Sequence, residues 1–571
     1  MSGDDNTQET PQRTAIGISF GNSYSSFAYD GLVLANEEGD RQIPTILSYV
    51  SGEEFQGTQA KAQIVRNPRN TVASFRDFLG KSFSEIDPTP CHSSAHPIEH
   101  NGGKSVAFSV QENVDEDGNA KGERSTITVD EITTRHLRKL KQSAADYLGK
   151  DVTAAVITVP SDFTDVQKEA LTADAAAAGI EVLQYISEPV SALLAHDAKV
   201  QQNGEDKPSQ QDKTVIVADL GGNRSDVAVI ASRAGLYTTL ATVHDYELGG
   251  ASLDKVLVEY AAKEFLKKNK SAKDPRENEK SLSKLTLEAE AVKKSLSIGA
   301  SANFSIESLS DGIDFQLSVN RTRFELLASK VFASITRLVE SAVAKAGLDL
   351  LDIDEILLSG GSSHTPKIAS NIASHFPEST TIIAPSTSPS AVNPSELTSR
   401  GASIQALLIA GFEKSDIAEN TEAIVTAAPH IPHAIGLVTG DNSFAVIVAA
   451  ETPVPVRRTA QISVANGGDV LLKLAEGVRE IKVTKEEKPA TNGNKDDDDE
   501  DDSDDSDDEP EEIRSKVWKA GKSLAEVGIK GVKKGGKVEI QVNVNADLSL
   551  TVVAREVGGK GGVRGTVEAA A

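Results

Sequence analysis

Cysteine occurs once in these 571 residues, as Cys91, so no disulfide can form within the chain. No apolar run approaches the roughly 18 to 20 residues a helix needs to cross a bilayer, and no membrane span is expected. The first residues, Met1 to Gln12, carry neither a basic start nor an apolar stretch, which argues against a signal or transit peptide. The last residues, Val567 to Ala571, match no receptor-read address. A cytosolic protein is therefore expected. Positive charge is also scarce: 59 Lys and Arg stand against 85 acids, a formal net charge of −26. Without a dense cationic surface, tight direct binding of nucleic acid is not expected.

The negative charge is concentrated. Asp496 to Glu512 holds 14 acids in 17 residues, and the rest of the chain then carries −12. That tract reads as a disordered insertion, a solubilising spacer or, through Ser503 and Ser506, a phosphorylation target. A string of lysines from Lys516 to Lys537 follows it. The string reads as solvated surface, or as a contact for a polyanion or for the acidic tract itself.

From Thr14 onward, short β-branched strands alternate with helical patterns. Strands are expected at Ala15–Phe20, Ala154–Val159, Thr214–Asp219 and Glu355–Leu358. Helices are expected at Asp165–Ala178, Ser252–Lys268, Leu282–Leu296 and Arg323–Lys345. This alternation predicts an α/β domain with helices on its sheets. After Pro429 and Pro432 only strand and turn patterns remain: Ala434–Val438, Phe444–Val448, Gln461–Ala465, Val470–Leu474, Lys537–Asn545 and Leu548–Val553. The division expected is a flexible tail 1–13, an α/β domain 14–418, a linker 419–430 and a reduced β-rich domain 431–571. The last is interrupted by an acidic insertion 487–512 and has no helical lid.

Two strand-into-glycine turns stand about two hundred residues apart. The first is Ile16-Gly17-Ile18-Ser19-Phe20-Gly21-Asn22-Ser23-Tyr24-Ser25. The second is Val217-Ala218-Asp219-Leu220-Gly221-Gly222-Asn223-Arg224-Ser225-Asp226. Such turns bring backbone N–H groups to phosphate oxygens with no Cβ in the way. Two of them suggest a duplicated core that grips one nucleotide from both sides.

In order with Ala155–Lys168, Ile186-Ser187-Glu188-Pro189-Val190-Ser191-Ala192, Leu248-Gly249-Gly250 and Leu358–Ser363, these turns resemble the signatures of the DnaK-type heat-shock chaperones. The resemblance covers nearly all of Thr14 to Gly411, and the β-rich tail less closely. It implies an actin-like (duplicated ribonuclease-H-like) nucleotide-binding domain. It places ATP against Gly21, Asn22, Ser23 and Tyr24, against Gly221, Gly222 and Asn223, and against Gly360, Gly361 and Ser362. It further implies that Glu290, Lys293, Lys294 and Ser297 contact ribose and adenine from one helical face. Lys294 and His364 stand where the family has two arginines that sandwich the base; they would stack less well.

The departures fall where hydrolysis needs a positioned metal, water and cations. Ser19 replaces an acid, Asn22 a threonine, Arg76 a lysine and Arg224 a threonine, whereas Glu188, Asp219 and Asp226 are kept. No catalytic residue is therefore expected, and ATP is expected to bind without appreciable turnover. Asp219 is left as the one weak candidate metal ligand, and whether Mg²⁺ accompanies ATP stays open. Arg76 and Arg224 are read as neutralising the triphosphate; the plainer alternative has Arg224 pointing to solvent.

The pattern is that of the atypical, ribosome-associated branch of the family. The resemblance implies a cytoplasmic, ribosome-associated heterodimer with the J-domain protein zuotin. In that assembly the partner makes the main ribosome contact. The pair would stimulate ATP hydrolysis by a separate, catalytically active DnaK-type chaperone working on nascent chains. Two alternatives stand beside it: an active chaperone ATPase, and a nucleotide-exchange factor of the large heat-shock class.

Overall fold

The computed structural model describes residues 13–91, 94–112, 123–202, 212–421, 429–486, 511–559 and 562–568. The tail before Arg13, Ser503 and Ser506, the acidic run up to Pro510 and most of the expected linker lie outside the described residues. The chain divides into two compact units, Met1–Thr426 and Ala427–Ala571. No described helix is long and apolar enough to cross a membrane.

The first unit repeats one pattern twice. In its first lobe, Ala15–Phe20 pairs antiparallel with Tyr24–Tyr29 and parallel with Ala154–Val159, which pairs parallel with Glu181–Ser187. In its second lobe, Lys213–Leu220 pairs antiparallel with Ser225–Arg233 and parallel with Glu355–Ser359. The central strands are apolar runs buried on both faces, as strands covered by helices must be. Each tight turn thus joins the two antiparallel strands at the middle of a sheet, and both turns open on the space between the lobes.

Each lobe also lends a helix to the other. The helix Glu188–Gln202 follows a first-lobe strand, yet its Ala192 and Leu193 pack on Val215 and Val217 of the second-lobe sheet. The helix Leu397–Ile409 follows the second lobe, yet its Ala402 and Ala406 pack on Ala15 and Ala154 of the first. The two helices pack against each other at Gly401. A Cβ on Gly401 would lie 1.8 Å from the Ser191 carbonyl oxygen, so only glycine permits the approach.

Most expected elements fall within a few residues of the observed ones. Leu282–Leu296 lies inside a helix Glu279–Ile298 whose N-cap Asn278 accepts from the Ser281 N–H. Arg323–Lys345 is instead two helices, Arg321–Leu327 and Ser329–Lys345, broken at Ala328. The break lets Phe324 and Phe332 meet edge to face, ring centroids 6.1 Å apart, in the second-lobe core.

The second unit contains two four-stranded sheets and, among its described residues, no helix. Leu437, Leu472, Leu474, Val527 and Ile529 from one sheet and Val538, Ile540, Val542 and Val552 from the other form its core. One strand outruns the sequence expectation and its partner has no counterpart in it: Gly468–Glu486 and Glu511–Val532 pair as a long antiparallel ribbon. Glu511 and Glu512, expected inside the insertion, belong to that ribbon.

Candidate functional site

The two glycine turns meet. A Cβ on Gly222 would lie 2.3 Å from Ser23 Oγ, so the turns approach as closely as a bare backbone allows. Asn223 reaches from the second turn into the first lobe, its Nδ2 donating to Ser74 Oγ at 3.1 Å. The second turn is fixed from behind. The Gly221 carbonyl accepts from Gly250 N at 3.0 Å and from Ser362 Oγ at 2.8 Å, which ties the Leu-Gly-Gly and Gly-Gly-Ser segments to it. Around these turns lies a cavity of about 900 Å³. It is large enough for a nucleotide, within the range of ordinary ligand pockets.

Every candidate nucleotide-site residue singled out in the sequence lines this one cavity. Ser19, Gly21, Asn22, Ser23 and Tyr24 lie on the first-lobe side, with Arg76 and Glu188. Asp219, Gly221, Gly222, Asn223, Arg224 and Asp226 lie on the second-lobe side. Glu290, Lys293, Lys294 and Ser297 line it from their helix, and Gly360, Gly361, Ser362 and His364 from the opposite turn.

Charge crosses the mouth of the cleft. Lys61 Nζ donates to Glu290 Oε2 and to Tyr24 OH, both at 2.6 Å. Tyr24 OH donates to Glu290 Oε1 at 2.5 Å, and Lys294 Nζ sits 2.9 Å from Tyr24 OH and 2.7 Å from Glu290. Burial opposes the Glu290 charge, but Lys61 and Lys294 hold its carboxyl far below the usual carboxylate range. Burial and the neighbouring Glu290 push the Tyr24 phenol well above its ordinary value, so it remains a donor. Lys293, by contrast, is tied inside the second lobe, to Gly250 O at 2.9 Å and Asp254 Oδ2 at 2.8 Å. Ser297 Oγ donates to Lys293 O at 3.1 Å within the helix. His364 Nε2 lies 3.1 Å from Ser395 Oγ, and burial lowers its pKa, so it presents a neutral ring to the cavity.

The deep end of the cleft holds the substituted residues. Arg224 is buried, at 8% exposure, so the alternative in which it points to solvent is overturned. Its Nε donates to Asp226 Oδ2 at 2.7 Å and an Nη donates to Asp226 Oδ1 as well. The same Nη crosses to Asp162 Oδ1 of the first lobe at 2.8 Å. The guanidinium lies 4.7 Å from the Tyr246 ring centroid, and Tyr246 OH donates to Asp162 Oδ2 at 2.5 Å. Arg76, also buried, donates to Asp77 at 2.8 Å, to Glu188 Oε1 at 3.1 Å and to the Phe20 carbonyl at 3.2 Å. Ser19 Oγ accepts from Thr398 Oγ1 at 3.0 Å. The buried Asn22 Oδ1 has no hydrogen-bond partner in the described structure.

Burial shapes the remaining acids. It raises Glu188 to about 8, against the pull of Arg76 and helped by the nearby Asp219 and Asp226. It raises Asp219 to about 6, with Asp226 adding to the effect, while a hydrogen bond from Ser359 acts against it. Asp162, Asp226 and His244 stand close enough to share an ion, but Arg224 already bonds both carboxylates. With Asp226 taken, Ser19 neutral and Glu188 bonded to Arg76, Asp219 is the one carboxylate left. That set does not make a protein-built divalent site.

Sequence reasoning missed Lys61, Asp162 and Tyr246. None belongs to a glycine motif, and their roles arise only from the closure of one lobe on the other. An acid at Asp162, three residues after the buried strand end at Val159, was the sole available hint.

The profile of the Hsp70 protein family matches residues 15–495. A ribosome-associated complex subunit, SSZ1, of Saccharomyces cerevisiae is 43% identical over 561 residues, 96% of this chain and 99% of its own length. A heat shock protein 70 homologue of Schizosaccharomyces pombe is 42% identical over 97% of this chain and 96% of its own. Heat shock 70 kDa protein 14-A of Xenopus laevis is 33% identical over 83% of this chain and 90% of its own.

Proposed function

The chain belongs to the Hsp70 protein family, and on that premise we propose that its cleft binds ATP and keeps it, with little or no hydrolysis. The observation that carries this reading is Arg224, whose guanidinium bridges Asp226 and Asp162 where the family has a small hydroxyl side chain. Splitting ATP calls for groups that meet the developing charge and orient water. Here Asp226 and Glu188 are bonded to arginines, and Ser19 supplies no charge. Losing one positioning group costs roughly 10²- to 10³-fold in rate. Binding is better provided for. The paired glycine turns offer backbone N–H groups to phosphates, and the helix Glu279–Ile298 offers polar side chains to the nucleoside. No step in this reading passes through a metal.

By the same premise, the chain is a chaperone-family subunit of a ribosome-associated complex, as the S. cerevisiae relative is by name. Its partner would be a J-domain protein of the zuotin kind, and its role to help stimulate a catalytically active chaperone at nascent chains. Bound ATP would then act as a structural wedge that fixes the cleft. A single-turnover experiment with radiolabelled ATP tests the catalytic half. Stoichiometric retention of ATP with no phosphate released is expected; release at the rate of an ordinary Hsp70 would refute it. Salt-resistant co-purification with a J-domain protein and ribosomes tests the other half.

A further inference from the structure

The second glycine turn is fixed from behind by Gly250 and Ser362. The first turn has a counterpart in Thr45 and His136, which no sequence motif contains. Thr45 stands between the short strands Ile43–Pro44 and Ile46–Val50 and is wholly buried. Its N–H donates to the Ser23 carbonyl at 3.0 Å, and its hydroxyl donates to the Gly21 carbonyl at 2.8 Å. Thr45 thus grips the turn at both ends. In a planar trans peptide a carbonyl and the next N–H point opposite ways. Holding the Gly21 carbonyl therefore aims the Asn22 N–H away from Thr45 and leaves it to the cavity that Asn22 lines.

Two more buried groups aim that hydroxyl. Ser25 Oγ lies 2.9 Å from Thr45 Oγ1 and 3.0 Å from His136 Nε2. His136 belongs to the helix Val129–Leu148, and its ring packs between Phe20 and Phe75, centroids 5.9 and 6.2 Å away. The hydrogen bonds themselves assign the protons. A carbonyl oxygen only accepts, so Thr45 donates to Gly21, Ser25 donates to Thr45, and His136 Nε2–H donates to Ser25. A neutral imidazole has one N–H to give. Moved to Nδ1, which faces Gln56 Oε1 at 3.3 Å, that proton would make Nε2 an acceptor. The Ser25 hydroxyl would then turn from Thr45 to the ring, and two oxygens would face each other with no proton between them. We propose that Thr45 is a positioning residue for ATP, its hydroxyl oriented by Ser25 and His136 from behind the first turn. The proposal rests on the ATP-binding reading above. Thr45 acts on affinity through the turn, since its hydroxyl is already spent on Gly21.

Calorimetric titration of the full-length chain with ATP, well below the melting temperature of each variant, tests this. Thr45→Val removes the hydroxyl and should weaken ATP binding about 5- to 10-fold, the scale of a lost hydrogen bond with an orphaned carbonyl. Thr45→Ser keeps the hydroxyl and should bind within about 2-fold of the parent. Thr71→Val controls for the loss of a buried hydroxyl as such. Thr71 is equally buried, donates to the Asn67 carbonyl at 2.8 Å and lies 2.8 Å from Ser48 Oγ, but does not line the cavity. It should lower the melting temperature and leave ATP affinity unchanged. His136→Leu should weaken ATP about 2- to 3-fold, and by nothing further once Thr45 is replaced by valine. The inference is overturned if Thr45→Val binds ATP as tightly as the parent, if Thr45→Ser fails to rescue, or if Thr71→Val weakens ATP equally. Full additivity of the His136 and Thr45 losses would also overturn it. A parent chain that binds no ATP would refute the ATP reading and this one with it. A parent that binds ATP while Thr45→Val changes nothing would sink this one alone.

Discussion

Replacing Arg224 with threonine, the family's residue, isolates the contribution of one guanidinium. In the structure it serves two carboxylates: Asp226, which is 6% exposed, and Asp162 across the cleft. Removing one partner of a buried ion pair leaves an uncompensated charge and costs about 3–5 kcal/mol. The Asp162 bond lies nearer the surface and adds little more. Unfolding entropy is about 2.1 cal/mol/K per residue, so a unit of this size has about 0.9 kcal/mol/K. Arg224→Thr should then lower the melting midpoint of the nucleotide-binding unit by about 3–6 °C. The control is Asp226→Asn in the same background. With the orphaned charge gone, the added cost of Arg224→Thr should shrink to about 1 kcal/mol, the scale of a lost hydrogen bond. Differential scanning calorimetry of all four proteins closes the cycle. A single variant that melts within 1 °C of the parent, or an Arg224→Thr cost undiminished in the Asp226→Asn background, would show that the bridge carries no net stabilisation.

Three further outcomes follow from other parts of the molecule. Single-turnover assays should show retained ATP in the parent chain, and Arg224→Thr alone should not restore hydrolysis, because Ser19 remains and Glu188 is still bonded to Arg76. His136 is fully buried against Ser25 Oγ at 3.0 Å, and burial lowers its pKa to about 4 from 6.5. Its folded pKa is depressed, so its contribution is whole above pH 6.5 and is lost as pH falls towards 4. Between about pH 7.5 and about pH 5 that loss is about 2 kcal/mol, and His136→Gln should remove that part of the acid sensitivity measured in urea melts. Gly401→Ala should destabilise the first unit by about 1–3 kcal/mol or more, since the backbone 1.8 Å away must retreat. Thermal melting checks it, and a neutral result would mean the helices can separate freely.

The site was legible because its residues come in ordered motifs whose glycines are dictated by close approach. Gly222, Gly250, Gly360 and Gly401 each sit where a Cβ would collide with the backbone or side chain of another segment. What the sequence hid depends on contacts between segments distant along the chain. Arg224 appears as one large cation after a turn; nothing local reveals that Asp162, 62 residues earlier, waits for it. The break at Ala328 has no proline or glycine to announce it, since aromatic packing and not propensity ends the helix. Strand Gly468–Glu486 was expected to stop at Leu474, because the charged residues beyond it face no core and so carry no alternating burial. The strand Gly562–Val567 was missed for a similar reason, two of its six residues being glycine.

The exchange of helices between the lobes constrains how this chain can acquire its structure at all. Glu188–Gln202 is the cover for a sheet that begins at Lys213, and Leu397–Ile409 is the cover for one that begins at Ala15. Neither half can shield its own sheet from water until the other has been synthesised. Fragments severed within 203–211 should therefore be insoluble apart yet able to reassemble when mixed, and a ribosome would release the first half with its apolar sheet still waiting for residue 409.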